Sequence, residues 1–207
     1  MDAMGLSAKR ESGSWWVIAF AALWITCAAG GLYIVWAYEN GAGVPAHAGP
    51  SWPSDTSLAA ASDRPTLVFL AHPQCSCTTA SLGELAEALA RARTLPKTFV
   101  VFLKPSSMPD GWEKTALWTD AEKLPGATLV RDEDGREAAR FGTVTSGQTL
   151  LYDAHGHLIF SGGITGSRGH AGDNAGRSAL VDLLNDAATT ASGTNVYGCS
   201  LVAPEKS

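Results

Sequence analysis

Thr66-Leu67-Val68-Phe69-Leu70-Ala71-His72-Pro73-Gln74-Cys75-Ser76-Cys77-Thr78 is the stretch on which the reading of this chain turns. Its first six residues form an apolar strand signal, and His72-Pro73-Gln74 breaks it. From about Thr78 to Arg93 the pattern is that of an amphipathic helix. Two cysteines therefore stand where a strand feeds a helix. A helix N-terminus presents unpaired N–H groups and a partial positive charge, and both favour a thiolate. A cysteine placed there can have its pKa lowered from ~8.5 into a range of roughly 3.5–7.5. Two such thiols one residue apart point to redox chemistry or soft-metal binding rather than to packing.

Toward the N-terminus lies a second strong signal. Trp15 to Tyr38 is uncharged and mostly apolar, flanked by Lys9, Arg10 and Glu11 before it and Glu39 after it. At ~1.5 Å per residue it suffices for a hydrocarbon core of about 30 Å. Trp15, Trp16, Trp36 and Tyr38 occupy its ends, where amphipathic rings favour the lipid–water interface. No Lys or Arg follows until Arg64, so the positive-inside bias puts the N-terminus in the cytoplasm and the bulk of the chain in the periplasm or its equivalent. Ala46-His47-Ala48 has the form of a signal-peptidase site, but the apolar run is longer than a usual signal core and ends well before it. An uncleaved single-pass anchor is the expectation, with Cys27 a small residue facing lipid or another helix.

The 207 residues have room for one ordinary domain plus appendages. A formal net charge of −5 gives no electrostatic reason to expect nucleic acid, and that class is set aside. The expected organisation is a cytoplasmic N-terminus over 1–14, a transmembrane helix over 15–38, a flexible linker over 39–63, and a domain with a cysteine-containing tail over 64–207. The linker reading rests on the Gly, Ala, Pro and Ser content of Gly41 to Ser62. Trp52-Pro53 within it reads equally as a docking point or as an incidental exposed pair.

Within the domain, strand and helix signals alternate. A β-branched run, Thr98 to Leu103, follows the first helix, and then a segment broken by Pro105, Pro109 and Gly111. The stretch Trp112 to Lys123 is short and amphipathic. Ala127 to Val130 reads as a strand, Asp132-Glu133-Asp134-Gly135 as a turn, and a short helix ends near Phe141-Gly142. Thr149 to Tyr152 and Leu158 to Ser161 form a hairpin signal. A glycine-rich loop, Gly162 to Gly176, precedes a last helix from Arg177 to about Asp186. This order implies an α/β fold, a central sheet with helices on both faces.

A strand, cysteines at the start of the first helix, a further βα unit and a terminal ββα together resemble the thioredoxin superfamily over roughly Arg64 to Asp186. More narrowly, the chain is similar to the membrane-anchored thioredoxin-like proteins of the RedB group. The likeness is carried by His72-Pro73-Gln74-Cys75-Ser76-Cys77-Thr78-Thr79-Ala80-Ser81, Thr145-Ser146-Gly147, Ser161-Gly162-Gly163-Ile164-Thr165, Ser167-Arg168-Gly169-His170, Gly172-Asp173-Asn174-Ala175-Gly176 and Gly198-Cys199. The resemblance implies a thioredoxin-like fold, a central mixed sheet flanked by helices. Two departures are visible. One residue rather than two separates the cysteines, so that Gln74 stands where the first thioredoxin cysteine would fall. Ser146-Gly147-Gln148 stands where thioredoxins carry a cis-proline.

Three chemistries remain open. In the first, Cys75, Cys77 and Cys199 are redox-active. A Cys75–Cys77 bridge needs Cα atoms about 4.4–6.8 Å apart, which neighbours two apart meet only in a constrained turn or first helical turn. Such a bridge would be strained and oxidising. Cys199 offers a second pairing, closing a loop of over about a hundred residues and contributing ~5 kcal/mol in the chain-entropy model. In the second, one of the pair is tied to Cys199 as a structural bridge and the other is simply buried. In the third, Cys75, Cys77 and Cys199 with His72 or His170 hold copper or zinc.

The favoured expectation is a thiol–disulfide oxidoreductase without a cofactor, with Cys75 attacking and Cys77 or Cys199 resolving. His72, Arg168 and His170 are candidates for stabilising the thiolate or touching substrate. Expected partners are the membrane, protein thiols and disulfides, and an electron-donating transmembrane reductase or a cytochrome-maturation apparatus. Asp173 or Asn174 reads as a helix cap, His155 and His157 as solvated turn residues, and Trp112 and Trp118 as core.

Overall fold

The computed structural model describes residues 14–189 and 191–201. It divides into two units, Met1–Glu39 and Asn40–Ser207. The expected cytoplasmic N-terminus, including Lys9 and Arg10, lies outside the described residues but for Ser14.

The first unit is helix α1 (Ser14–Asn40), 27 residues long. At ~1.5 Å per residue it measures about 40 Å, more than a bilayer's hydrocarbon core. It is long and apolar enough to cross a membrane, and its large side chains, from Trp15 to Tyr38, are exposed all round.

The second unit runs β1 (Thr66–Ala71), α2 (Ser76–Ala90), β2 (Lys97–Lys104), α3 (Ala116–Ala121), β3 (Ala127–Glu133), α4 (Arg136–Arg140), β4 (Thr149–Tyr152), β5 (Leu158–Gly162) and α5 (Ala175–Leu184). The strands form one sheet in the order β3-β2-β1-β4-β5. β1, β2 and β3 are parallel, β4 lies antiparallel to β1, and β5 antiparallel to β4. Every residue of β1 is buried, as a central strand covered on both faces requires. Its alternation sends Leu67, Phe69 and Ala71 to one face, where α2, α3 and α5 pack through Leu82, Leu85, Leu89, Leu117 and Leu180. Val68 and Leu70 face the other side, with Val101, Leu150, Tyr152 and Phe141. This is the thioredoxin-like fold.

The second face is where the expected flexible linker is corrected. Among the described residues its only helix is α4, which has five residues and cannot cover the sheet alone. Residues 43–58 complete the cover. Gly43 donates its N–H to Val196 O, His47 to Gly142 O and Trp52 to Gly156 O, each at 2.8 Å. The Trp52 ring stands edge-on to Phe141 (5.1 Å) and Tyr152 (5.0 Å), and Leu58 is buried beside it. Ser57 Oγ donates to the Glu137 carboxylate at 2.8 Å, and Thr56 donates to it as well. The segment lacks secondary structure but not contacts, because its apolar residues finish a core that the helices leave open.

Smaller differences occur at element ends. Helix α2 starts at Ser76, two residues before the expected Thr78. Strand β3 continues through Asp132 and Glu133, so the turn is confined to Asp134-Gly135, both with positive φ. Asn174 is the cap of α5, its side chain accepting the Arg177 N–H at 2.8 Å.

Candidate active site

At the end of β1, His72 donates its N–H to Ser146 Oγ at 2.7 Å. The chain then turns, with Cys75 N–H reaching back to His72 O at 3.1 Å, and Thr115 Oγ1 holds the Pro73 carbonyl at 2.8 Å. Cys75 is the residue before the first turn of α2, in an extended conformation (φ −94, ψ 114), and Cys77 lies within that turn. This early start of the helix, rather than one at Thr78, places the Cys75 sulfur at the positive helix end.

Two other segments complete the site. The first precedes β4: Gly147 gives its N–H to Leu70 O at 2.7 Å, and the hydroxyls of Ser146 and Thr78 are 2.5 Å apart. Gly147 has φ +85, a conformation that favours glycine, and a Cβ there would lie a tight 3.1 Å from Ser81 Oγ. The second is the tail. Ser146 donates its N–H to Cys199 O at 2.8 Å, Leu201 donates to Val144 O at 2.8 Å, and Thr145 and Ser200 form an antiparallel bridge. This sets the tail beside the cysteine loop, with Cys199 near enough to Cys75 for each thiol to affect the other's ionisation. The four-cysteine chain holds its thiols free, Cys27 being in α1 and remote in sequence from the rest.

Arg168 comes from the loop after β5. Its Nε donates to Gly41 O at 3.1 Å and its Nη1 to Gly198 O at 2.7 Å, and its charge acts on both Cys77 and Cys199. The loop is tied to α2 by buried Glu84, which accepts from Gly172 N–H (2.7 Å) and from the Arg177 guanidinium (2.6 Å).

These surroundings separate the three thiols. Burial works against a Cys75 thiolate, but the Cys199 thiol and the hydroxyl and N–H of Thr78 outweigh it and bring the Cys75 pKa below that of a free thiol. Burial raises Cys77, and the charge of the neighbouring Cys75 and an interaction with its thiol add to this, against a smaller opposing pull from Arg168. Burial also raises Cys199, and its hydrogen bond to Cys75 adds to the effect, pushing it up to about 12. Cys75 is thus the thiol that ionises first, with two protonated thiols beside it. Such a set can exchange disulfides.

Of the six residues singled out from sequence, Cys75, Cys77, Cys199 and Arg168 come together. The two histidines do not join them. His72 is half-buried with its pKa lowered by that burial, its ring edge-on to Trp112 at 5.7 Å and its Nδ1 accepting the Gln74 N–H. His170 is exposed, with Nδ1 2.9 Å from Arg168 O. The metal set of Cys75, Cys77, Cys199 and His170 therefore lacks its histidine. Among the described residues no three or more His, Cys, Asp or Glu side chains are spaced to hold a metal ion. Trp118 packs on Phe102 in the core as expected, whereas Trp112 borders the cysteine loop through His72. Sequence reasoning gave no role to Ser146 or Thr78, although both stand in motifs that it quoted.

No family model matches this chain, and no curated protein matches it. Among solved structures it is similar to an uncharacterized conserved protein from Geobacillus kaustophilus at 16% identity, with a TM-score of 0.57, over 81% of this chain and 94% of that one. That likeness is one of fold. Partial overlaps occur with a secreted Mycobacterium tuberculosis disulfide oxidoreductase homologous to E. coli DsbE (18% identity, TM-score 0.35, 46% of this chain and 66% of that one). The exposed lipoprotein thioredoxin Etrx1 of Streptococcus pneumoniae also overlaps in part (16% identity, TM-score 0.42, 58% and 83%).

Proposed function

We propose that this chain is a membrane-anchored, extracytoplasmic thiol–disulfide oxidoreductase of the RedB-like kind. The observation that carries the reading is the pinning of the Cys199 tail to Ser146 and Val144, beside Cys75 and Cys77 at the start of α2, where the Cys75 pKa is lowered. The Cys75 thiolate attacks a partner disulfide R–S–S–R′, forming a Cys75–S–S–R mixed disulfide and releasing the R′ thiolate, which takes up a proton. Cys199, giving up its proton, then attacks the Cys75 sulfur. The R thiolate leaves and is protonated, and the chain is left with a Cys75–Cys199 disulfide. The partner gains two electrons and two protons in all. An electron-donating membrane protein returns the chain to its dithiol form. Helix α1 holds the domain on the outer side of the membrane beside such a donor.

Incubating the reduced Cys199→Ser variant with a disulfide-bonded protein tests this. A mixed disulfide at Cys75 accumulates and is released by dithiothreitol, while Cys77→Ser behaves as the parent does. If neither variant traps a partner and the parent shows no reversible two-electron oxidation, the reading fails. A C-terminal alkaline phosphatase fusion that is inactive in intact cells would overturn the topology.

A further inference from the structure

Helix α1 ends at Asn40, and one residue later the chain is already fastened beside the thiols. Arg168 Nε donates to Gly41 O at 3.1 Å, and Nη1 of the same guanidinium donates at 2.7 Å to Gly198 O, next to Cys199. Gly43 gives its N–H to Val196 O and Thr145 Oγ1 donates to Val44 O, both at 2.8 Å, while Thr145 also pairs with Ser200. The residues that hold the tail thus hold the first residues after the helix. Gly142 continues the fastening by accepting the His47 N–H at 2.8 Å. Its φ of +61 favours glycine, and a Cβ there would run into the His47 carbonyl.

This arrangement leaves no slack between helix and site. With Trp36 and Tyr38 at the lipid–water interface, the three residues to Gly41 cover ~10 Å at most. Cys199 stands one guanidinium and one residue further on, so the thiols stay within about 20 Å of the interface at any angle between helix and domain. A free linker of about twenty residues would add roughly 25 Å of reach. We infer that residues 41–58 are a mount that fixes the height of the thiols over the bilayer, and that the substrate is a protein held in the same membrane with its disulfide at headgroup level. This rests on the anchored oxidoreductase reading and names its substrate class. Cys75 and Cys199 pass two electrons and two protons to that disulfide, which becomes two thiols while they close into their own bond. Effective concentration between tethered groups is highest where the tether matches the span, and this tether matches a disulfide lying low on the surface.

The test uses the full chain, reduced and reconstituted in phosphatidylcholine vesicles. The probes are two transmembrane leucine-helix peptides, each ending in a cysteine joined to thionitrobenzoate. In one the cysteine follows the span directly. In the other a thirty-residue Glu-Ala-Ala-Ala-Lys repeat lifts it ~45 Å. Release of the coloured thionitrobenzoate reads the rate. The low probe is expected to react about tenfold faster or more, within the range by which tether geometry changes an intramolecular encounter. Inserting twelve Gly and Ser residues between Asn40 and Gly41 should slow the low probe, speed the high one and bring the two within about threefold. Reduction of soluble bis(2-hydroxyethyl) disulfide should be the same with and without the insertion, which also shows that the lengthened chain is folded. Equal rates for the two probes in the parent, or a ratio that the insertion leaves unchanged, would overturn the mount while reduction of the small disulfide keeps the oxidoreductase reading. Failure to reduce the small disulfide would remove both.

Discussion

The hydroxyls of Thr78 and Ser146 lie 2.5 Å apart and bind the first turn of α2 to the segment before β4. Through its other two bonds, Ser146 also holds the end of β1 at His72 and the tail at Cys199. Three separate segments thus meet on one buried serine. Ser146→Ala leaves the His72 N–H and the Thr78 hydroxyl without their buried partner, at a cost of about 1–3 kcal/mol. Denaturant unfolding should show that loss, and closure of the Cys75–Cys199 bond under an oxidising glutathione buffer should slow.

The unequal thiol acidities make a prediction about redox potential. Below the pKa of Cys75, reduction of a Cys75–Cys199 bond takes up two protons for two electrons, and the potential falls by ~59 mV per pH unit. Above it, Cys75 stays a thiolate while Cys199, raised to about 12, still takes its proton. The slope should then halve to roughly 30 mV per pH unit. Equilibration with dithiothreitol buffers across pH locates the break. Thr78→Val removes a donor that favours the thiolate, so its break should lie at higher pH.

Glu84 and Arg177 form a buried ion pair at 2.6 Å, each nearly inaccessible. Removing one partner of such a pair costs about 3–5 kcal/mol, because the other charge stays desolvated. Glu84→Ala should show this in urea unfolding. It should also increase hydrogen exchange in residues 166–174, since Gly172 and Asn174 lose their acceptor together with Arg177. Glu84→Gln, which keeps an acceptor, should lose less.

Acid should loosen residues 52–58 before it unfolds the sheet. Burial opposes ionisation of Glu137, but the donors on Thr56, Ser57 and Arg140 overcome it and hold its pKa below the ordinary carboxyl value. With the folded pKa depressed, its contribution is full above the unfolded value and is lost as pH falls through the folded one. Asp132, which burial raises, acts in the opposite sense. The informative measurement is therefore the difference between the parent and Glu137→Gln in amide exchange over residues 52–58. That difference should be large near neutrality and should shrink toward zero in acid.

The central strand, the helix after it, the hairpin and the cysteines at the helix start were all legible, since each is written in a local pattern. Where Cys75 sits relative to the helix end was off by two residues, because Ser76 and Cys77 carry no periodic apolar signal of their own. The docking of residues 43–58 was not legible. Glycine, alanine and proline give an irregular backbone whether or not it is bound, and the reason for binding is a sheet face that α4 is too short to cover. Ser146 escaped notice for a related cause: its three partners, at 72, 78 and 199, are near it only in space. Cys199 was found because cysteine is rare enough here to be noticed singly. Its partner among the pair depends on contacts that no spacing encodes.

Arg168 grips Gly41 and Gly198, the two flanks of the domain, with β1, α2 and the hairpin made in between. Synthesis runs in one direction, so the sheet has all five strands by Gly162, while the thiol that stands beside Cys75 has yet to be made. Until Cys199 is made, Cys75 has no tail thiol beside it.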